Sequence, residues 1–166
     1  MPGQTVGRFD LGDRPPVRYL AESAEHAIGE VLSPFRGTTF RPAYLRQSGH
    51  ALALVEVRLS ASLVQRIPDC TEPDTLVTLG MRPDALAHHD RTLTQAIARR
   101  LHTLGADSGT PAGLRWWSEL TGAWHANIVF TDRERRRDVT FGTPRHLRSD
   151  DADVIRALSI LGIRTR

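Results

Sequence analysis

Residues 7–32 read GRFDLGDRPPVRYLAESAEHAIGEVL, and the reading of this stretch decides the fold. Gly, Pro and Asp crowd its beginning, which marks a loop through residue 16. Pro15-Pro16 bars helix there. Residues 17–21, VRYLA, form a short apolar run with an aromatic inside, the mark of a buried strand. Ser23 then offers an N-cap, and Glu25 falls in the first turn, where a carboxylate favours the helix dipole. Ala24, Ala27, Ile28 and Val31 follow at helical spacing and predict one apolar stripe. Pro34 stops the helix. Glu30 falls about 60° from Ala27 by the 3.6-residue repeat, on the border of that stripe. Arg8 on the loop, Tyr19 on the strand and Glu30 on the helix are the candidates to meet in one cleft, a meeting that only three-dimensional structure can show.

Outward from this stretch, residues 35–48 read as loop with a short turn. Residues 51–59, ALALVEVRL, predict a single strand. Pro68, Pro73 and Pro83 break residues 60–90, where residues 84–88 predict one helical turn. Residues 92–104 predict a second long helix, with Leu93, Ala96, Ile97, Leu101 and Leu104 as its stripe and Gly105 as its C-cap. Residues 113–117 and 127–131 predict strands. Residues 139–141 are expected to pair with the latter as a hairpin across the charged turn 132–138. Asp150 and Asp151 cap a last helix carrying Val154, Ile155, Leu158, Ile160 and Leu161. Strands and helices without regular βαβ alternation indicate an α+β fold.

The totals bound the function. A chain of 166 residues fits one domain with a respectable core. All 22 cationic side chains are Arg, but the net charge is only +3 and is spread along the chain, so nucleic acid is not an expected partner. No apolar run approaches membrane-helix length, and MPGQTVGRFD carries no secretory signal, so a cytoplasmic protein is expected. The single Cys70 excludes an internal disulfide and reads as a spectator. His88-His89-Asp90 lacks further ligands at metal spacing and reads as polar loop. Arg133 to Arg137, diluted by Asp132, Glu134 and Asp138, reads as a solvated turn.

At Gly7-Arg8-Phe9-Asp10, Tyr19-Leu20-Ala21 and Ala27-Ile28-Gly29-Glu30-Val31 the chain resembles the RES domain, named for Arg, Glu and Ser. The family pattern of loop, strand and helix continues in Gly113-Leu114-Arg115-Trp116-Trp117-Ser118, then Gly122, then the strand Asn127-Ile128-Val129-Phe130. The helix TLTQAIARRLHTLG also resembles the family helix ahead of the Ser segment. The resemblance implies a single ADP-ribosyltransferase-like domain over residues 1–166, with a mixed, mainly antiparallel sheet and three to four helices. Its motifs occupy 7–130, and a hairpin strand and helix fill 131–166.

In function, the resemblance implies a bacterial toxin that destroys NAD by hydrolysis or phosphorolysis of the nicotinamide–ribose bond. Its partner would be a helix-turn-helix antitoxin that blocks the cleft. Carried over by motif, Glu30 is the catalytic carboxylate and Arg8 holds the pyrophosphate. Tyr19 packs on the nicotinamide side, and Ser118 orients substrate. Gly122 and Asn127 complete the substrate-binding set. NAD is a substrate here, with water or inorganic phosphate as acceptor, and neither metal nor cofactor is expected. The C-terminal helix is apolar enough to serve a homo-oligomer.

The chemistry suits these residue types. The transition state is oxocarbenium-like. Nicotinamide in NAD is already cationic and leaves without protonation, so one carboxylate stabilising the ribose cation suffices. Arg grips a pyrophosphate with two prongs where Lys cannot. One departure stands out: family members usually carry a further Arg on a strand ahead of the GRF loop, and none of the six residues before Gly7 is Arg. Two alternatives keep the cleft: an ADP-ribosyltransferase acting on a macromolecule, and a degenerate domain that binds a nucleotide or partner without chemistry.

Overall fold

Strand β7 (His125–Phe130) sits in the middle of a three-stranded antiparallel sheet, between β1 (Val17–Ala21) and β6 (Gly113–Trp117). Its end, Ile128-Val129-Phe130, is buried on both sides, as a central strand requires. The computed structural model describes residues 7–14, 16–82, 86, 90–104 and 110–165. Other described strands are short pairs: β2 (Arg46–Gln47) with β3 (His50–Ala51), β4 (Ala53–Leu54) with β9 (Arg145–His146), and β5 (Val57–Leu59) with β8 (Val139–Phe141). Five described helices complete the α+β domain: α1 (Ala24–Leu32), α2 (Ala61–Val64), α3 (Pro73–Thr78), α4 (Arg91–Thr103) and α5 (Ala152–Ile160). No described helix is long and apolar enough to cross a membrane.

Register fixes which residues share a face. Tyr19 lies opposite Ile128 and Ala21 opposite Ala126, while Leu114 faces Ile128 and Trp116 faces Ala126. Directly opposed residues project to the same side. That side packs Leu114, Trp116, Ile128 and Phe130 with Ile97, Ala98 and Leu101 of α4 and with Phe9 and Leu11 of the loop. The opposite side buries Val129 with Leu63 and Ala112. A separate cluster joins Ile28 and Leu32 of α1 to Val154, Ala157 and Leu158 of α5. Full burial of each Val, Leu, Ile or Phe side chain among these contributes roughly 1.5–3 kcal/mol.

The structure departs from the sequence expectation in several places. Residues 51–59 are not one strand but parts of three, because the chain changes partner twice. An apolar run of Ala and Leu satisfies any of the three pairings. Residues 139–141 pair with β5, not with β7. A 3₁₀ turn, Thr131–Arg133, turns the chain away from β7. Asp138, 4 % exposed, then ties it elsewhere: it accepts from Ser60 Oγ at 2.8 Å and from the Arg135 amide at 2.9 Å, and its carbonyl accepts the Ser60 amide at 2.8 Å.

There are five described helices rather than three or four, since Ser60 caps one brief helix and Pro73 opens another. The stripe of α1 is also rotated. His26, Ile28, Gly29 and Leu32 are buried while Val31 is 45 % exposed. In α4 the buried set is Thr94, Ile97, Ala98, Leu101 and His102, leaving Leu93 and Leu104 partly exposed. The expected turn at 84–88, apart from Leu86, the His88-His89 pair and the Gly105 cap lie outside the described residues.

Candidate functional site

The GRFD loop is clamped by side chains that hydrogen-bond its backbone. Asp10, 2 % exposed, accepts the Gly7 amide at 2.6 Å and the Tyr19 hydroxyl at 2.8 Å, and that hydroxyl accepts the Phe9 amide at 3.0 Å. From α4, Thr94 Oγ1 donates to the Arg8 carbonyl at 2.6 Å and Gln95 Nε2 to the Gly7 carbonyl at 2.9 Å. Gly7 is needed for this close approach: a Cβ there would stand 2.3 Å from the Tyr19 hydroxyl oxygen. The loop thus holds Arg8 at a fixed place beside β1. Its guanidinium donates from Nη2 to the Leu86 carbonyl at 2.6 Å and pairs through Nη1 with Glu119 at 2.5 Å.

The Tyr19 ring remains 44 % exposed although its hydroxyl is tied down. Burial of that hydroxyl, with the Asp10 carboxylate beside it, raises its pKa, so it stays a phenol. The ring therefore offers a face, not a reactive oxygen.

Glu30 reaches the same space from α1. Ser118, at the end of β6, donates its hydroxyl to Glu30 Oε1 at 2.7 Å. The direction of that bond follows from the Leu120 amide, which donates to Ser118 Oγ at 3.1 Å. His26 Nε2 lies 3.0 Å from the same oxygen, and because an ionised carboxylate only accepts, Nε2 carries the proton. No described residue donates to Oε2, and the side chain is 49 % exposed. Burial pushes the Glu30 pKa up, but the His26 and Ser118 hydrogen bonds outweigh it, and the pKa lies below the usual carboxylate range. Glu30 is thus an ionised group with one oxygen anchored and one open to the cavity.

His26 is the residue sequence reasoning passed over. It is 1 % exposed and stacks on Trp124 with ring centroids 5.1 Å apart and planes 18° from parallel. Its Nδ1 is buried without a hydrogen-bond partner. Trp124 in turn lies flat on α1 where Gly29 leaves room: a Cβ at Gly29 would meet the indole at 2.7 Å. The available signal was the four-residue spacing of His26 and Glu30, which puts both on one helix face.

Arg8, Tyr19, Glu30 and Ser118 line one cavity of about 430 Å³, whose walls include His26, Ala27, Val31, Trp117, Ala126 and Ile128. This explains the rotated stripe of α1, since Ala27 and Val31 face a cleft. Asn127 is not among the lining residues. It lies in an adjoining groove of about 810 Å³, where its amide donates weakly to Glu22 at 3.4 Å. The groove and the cavity share Tyr19, Leu20, Ala21, Ala27 and Val31. Gly122 lines neither. Trp116 and Trp117 both line the cavity, Trp116 from the core at 3 % exposed and Trp117 at 36 %, while Trp124 is core. Cys70 is fully buried, and burial pushes its thiol up to about 12, which leaves it inert at neutral pH. Among the described residues no cluster of His, Cys, Asp or Glu could hold a metal ion.

The fold and site define an α+β protein with a carboxylate, a guanidinium and an aromatic face around one ligand-sized hollow. The chain belongs to the RES domain family, whose model matches residues 1–153. At the level of the family, membership supports an NAD-related, toxin-like function. No curated protein and no solved structure matched the chain.

Proposed function

We propose that this protein consumes NAD by cleaving its nicotinamide–ribose bond, and that a helix-turn-helix antitoxin neutralises it by covering the cavity. The observation that carries the reading is Glu30, held by Ser118 and His26 inside the cavity that Arg8 and Tyr19 also line. A cavity of about 430 Å³ is within the usual range for a small-molecule site and suits the nicotinamide half of the dinucleotide. The adjoining groove leaves room for the remainder, beside Asn127.

Each side chain then has a task. The Tyr19 ring packs on the nicotinamide. Arg8 attracts the pyrophosphate. As the C1′–N bond breaks, its electron pair returns to nicotinamide, which leaves neutral. Positive charge grows on the ribose and is stabilised by the free Oε2 of Glu30. Water or inorganic phosphate then adds to C1′ from solvent, giving ADP-ribose and a proton, or a ribosyl phosphate. No proton donor is required for the leaving group.

Pure protein incubated with NAD should release free nicotinamide, followed chromatographically, and adding phosphate decides between the two acceptors. Transfer of radiolabel to a protein or nucleic acid instead would reassign the chain to macromolecular ADP-ribosylation. Absence of nicotinamide release would leave only a binding domain.

A further inference from the structure

His26 donates to Glu30 from a ring that no second hydrogen bond orients. A histidine that must aim one nitrogen at a fixed target is ordinarily set by a hydrogen bond to the other. Here Nδ1 is buried and has no hydrogen-bond partner among the described residues. The ring plane is held instead by the Trp124 indole, stacked on it with centroids 5.1 Å apart. That indole is itself buried, seated in the notch that Gly29 leaves on α1.

The second donor to Glu30 depends on the same residue. The Trp124 carbonyl accepts the Ser118 amide at 2.7 Å, which closes the loop between β6 and β7. Inside the loop the Trp124 amide donates to the Thr121 carbonyl at 3.1 Å. The Leu120 amide donates to Ser118 Oγ at 3.1 Å, which leaves the hydroxyl proton for Glu30. Outside it, Arg36 Nη2 donates to the Leu120 carbonyl at 3.0 Å, and the Leu120 side chain packs on the cluster of α1 and α5. Trp124 lines neither the cavity nor the groove, so it acts only through its neighbours. We infer that Trp124 is the positioning residue of this site: its ring aims His26 and its backbone fixes Ser118, so that both donors meet Oε1 of Glu30 and Oε2 stays open. The inference rests on the proposed reading for the task of Glu30, but not for its hydrogen bonds.

The test is a carbon-13 NMR titration of the Glu30 side-chain carboxyl in the full chain. Besides the two donors, the charged groups that line the cavity with Glu30 are Arg8 and Glu119, and the substitutions leave both in place. Trp124→Leu keeps an apolar filler but no ring plane. It should raise the Glu30 midpoint by about one pH unit, the scale of one lost hydrogen bond to a charged group. Trp124→Phe keeps a smaller ring and should raise it by less than half as much. In a His26→Phe/Ser118→Ala background, Trp124→Leu should add nothing, because no donor remains to misplace. The kcat for NAD loss should fall in Trp124→Leu with KM unchanged. A Glu30 midpoint unmoved by Trp124→Leu, or a rise that persists without both donors, would overturn the inference. If Trp124→Leu does not fold, Trp124→Phe decides alone, and a wild-type midpoint in it overturns the inference. Absence of NAD cleavage with the titration shifts intact would instead overturn the proposed reaction and leave Trp124 supporting a carboxylate of different chemistry.

Discussion

Ser118 Oγ and Glu30 Oε1 are 2.7 Å apart, although 88 residues separate them in the chain. One stands at the end of an edge strand and the other on the first helix, so the bond closes the cavity from both sides. It also takes the same carboxylate oxygen that His26 takes, which leaves Oε2 for a ligand.

Removing this hydroxyl tests what the bond does. In Ser118→Ala, kcat for NAD loss should fall roughly tenfold, the scale of a hydrogen bond to a charged group. The acid limb of the pH profile should also move to higher pH. Glu30 titrates below its ordinary value because the donors outweigh burial, and deleting one donor raises it. The linkage sign agrees. A depressed folded-state pKa adds stability above the unfolded-state value, and that stability is lost as pH falls through the folded-state value. A pH profile unchanged by the substitution would count against the bond's role.

His26 is separable from mere packing by two replacements. His26→Phe keeps an aromatic ring on Trp124 but removes the donor to Glu30, whereas His26→Gln supplies a donor without the stack. The Phe variant should lose activity roughly tenfold. The Gln variant should recover most of that loss despite weaker packing. Equal losses in both, tracking their melting temperatures, would reduce His26 to a core residue.

Tyr19 serves the loop through its hydroxyl and the cavity through its ring. Tyr19→Phe removes the donor to the buried Asp10 and the acceptor for the Phe9 amide. The denaturant midpoint should report a loss of about 1–2 kcal/mol, with KM for NAD raised only slightly. Tyr19→Leu should raise KM further, since the face is gone. A Leu variant with wild-type KM would remove the ring from the site.

Two glycines should behave oppositely. A Cβ at Gly113 would stand 1.8 Å from the Ile128 carbonyl oxygen, so Gly113→Ala must push β6 away from β7. The urea midpoint should report a loss of more than about 3 kcal/mol, or no folded protein. At Gly122 a Cβ meets nothing within 4 Å, and Gly122→Ala should lie within about 0.5–1 kcal/mol of wild type.

How much of this was legible in the sequence depends on the range of the interaction. Strand 17–21, the Ser23 cap and the extent of α4 follow from local periodicity and capping, and they appear within a residue or so of expectation. The split of 51–59 and the partner of 139–141 depend on pairing between distant segments, which no local pattern encodes. The rotated stripe of α1 has the same origin: Ala27 and Val31 look like core but line a cleft. The meeting of Arg8, Tyr19, Glu30 and Ser118 in one cavity followed the ordered motifs. His26 escaped notice because its role arises only from contact with Glu30, one of those motif residues.

Glu30→Gln tests the central claim most directly. The substitution keeps shape and removes charge, so circular dichroism should be unchanged and the melting temperature should fall only slightly, by the stability the depressed carboxylate contributes. Nicotinamide release from NAD should be measured side by side for wild type and variant at equal concentration. The account predicts release by the wild type and a fall of at least about 100-fold in the folded variant. Release at the same rate from both proteins would contradict it.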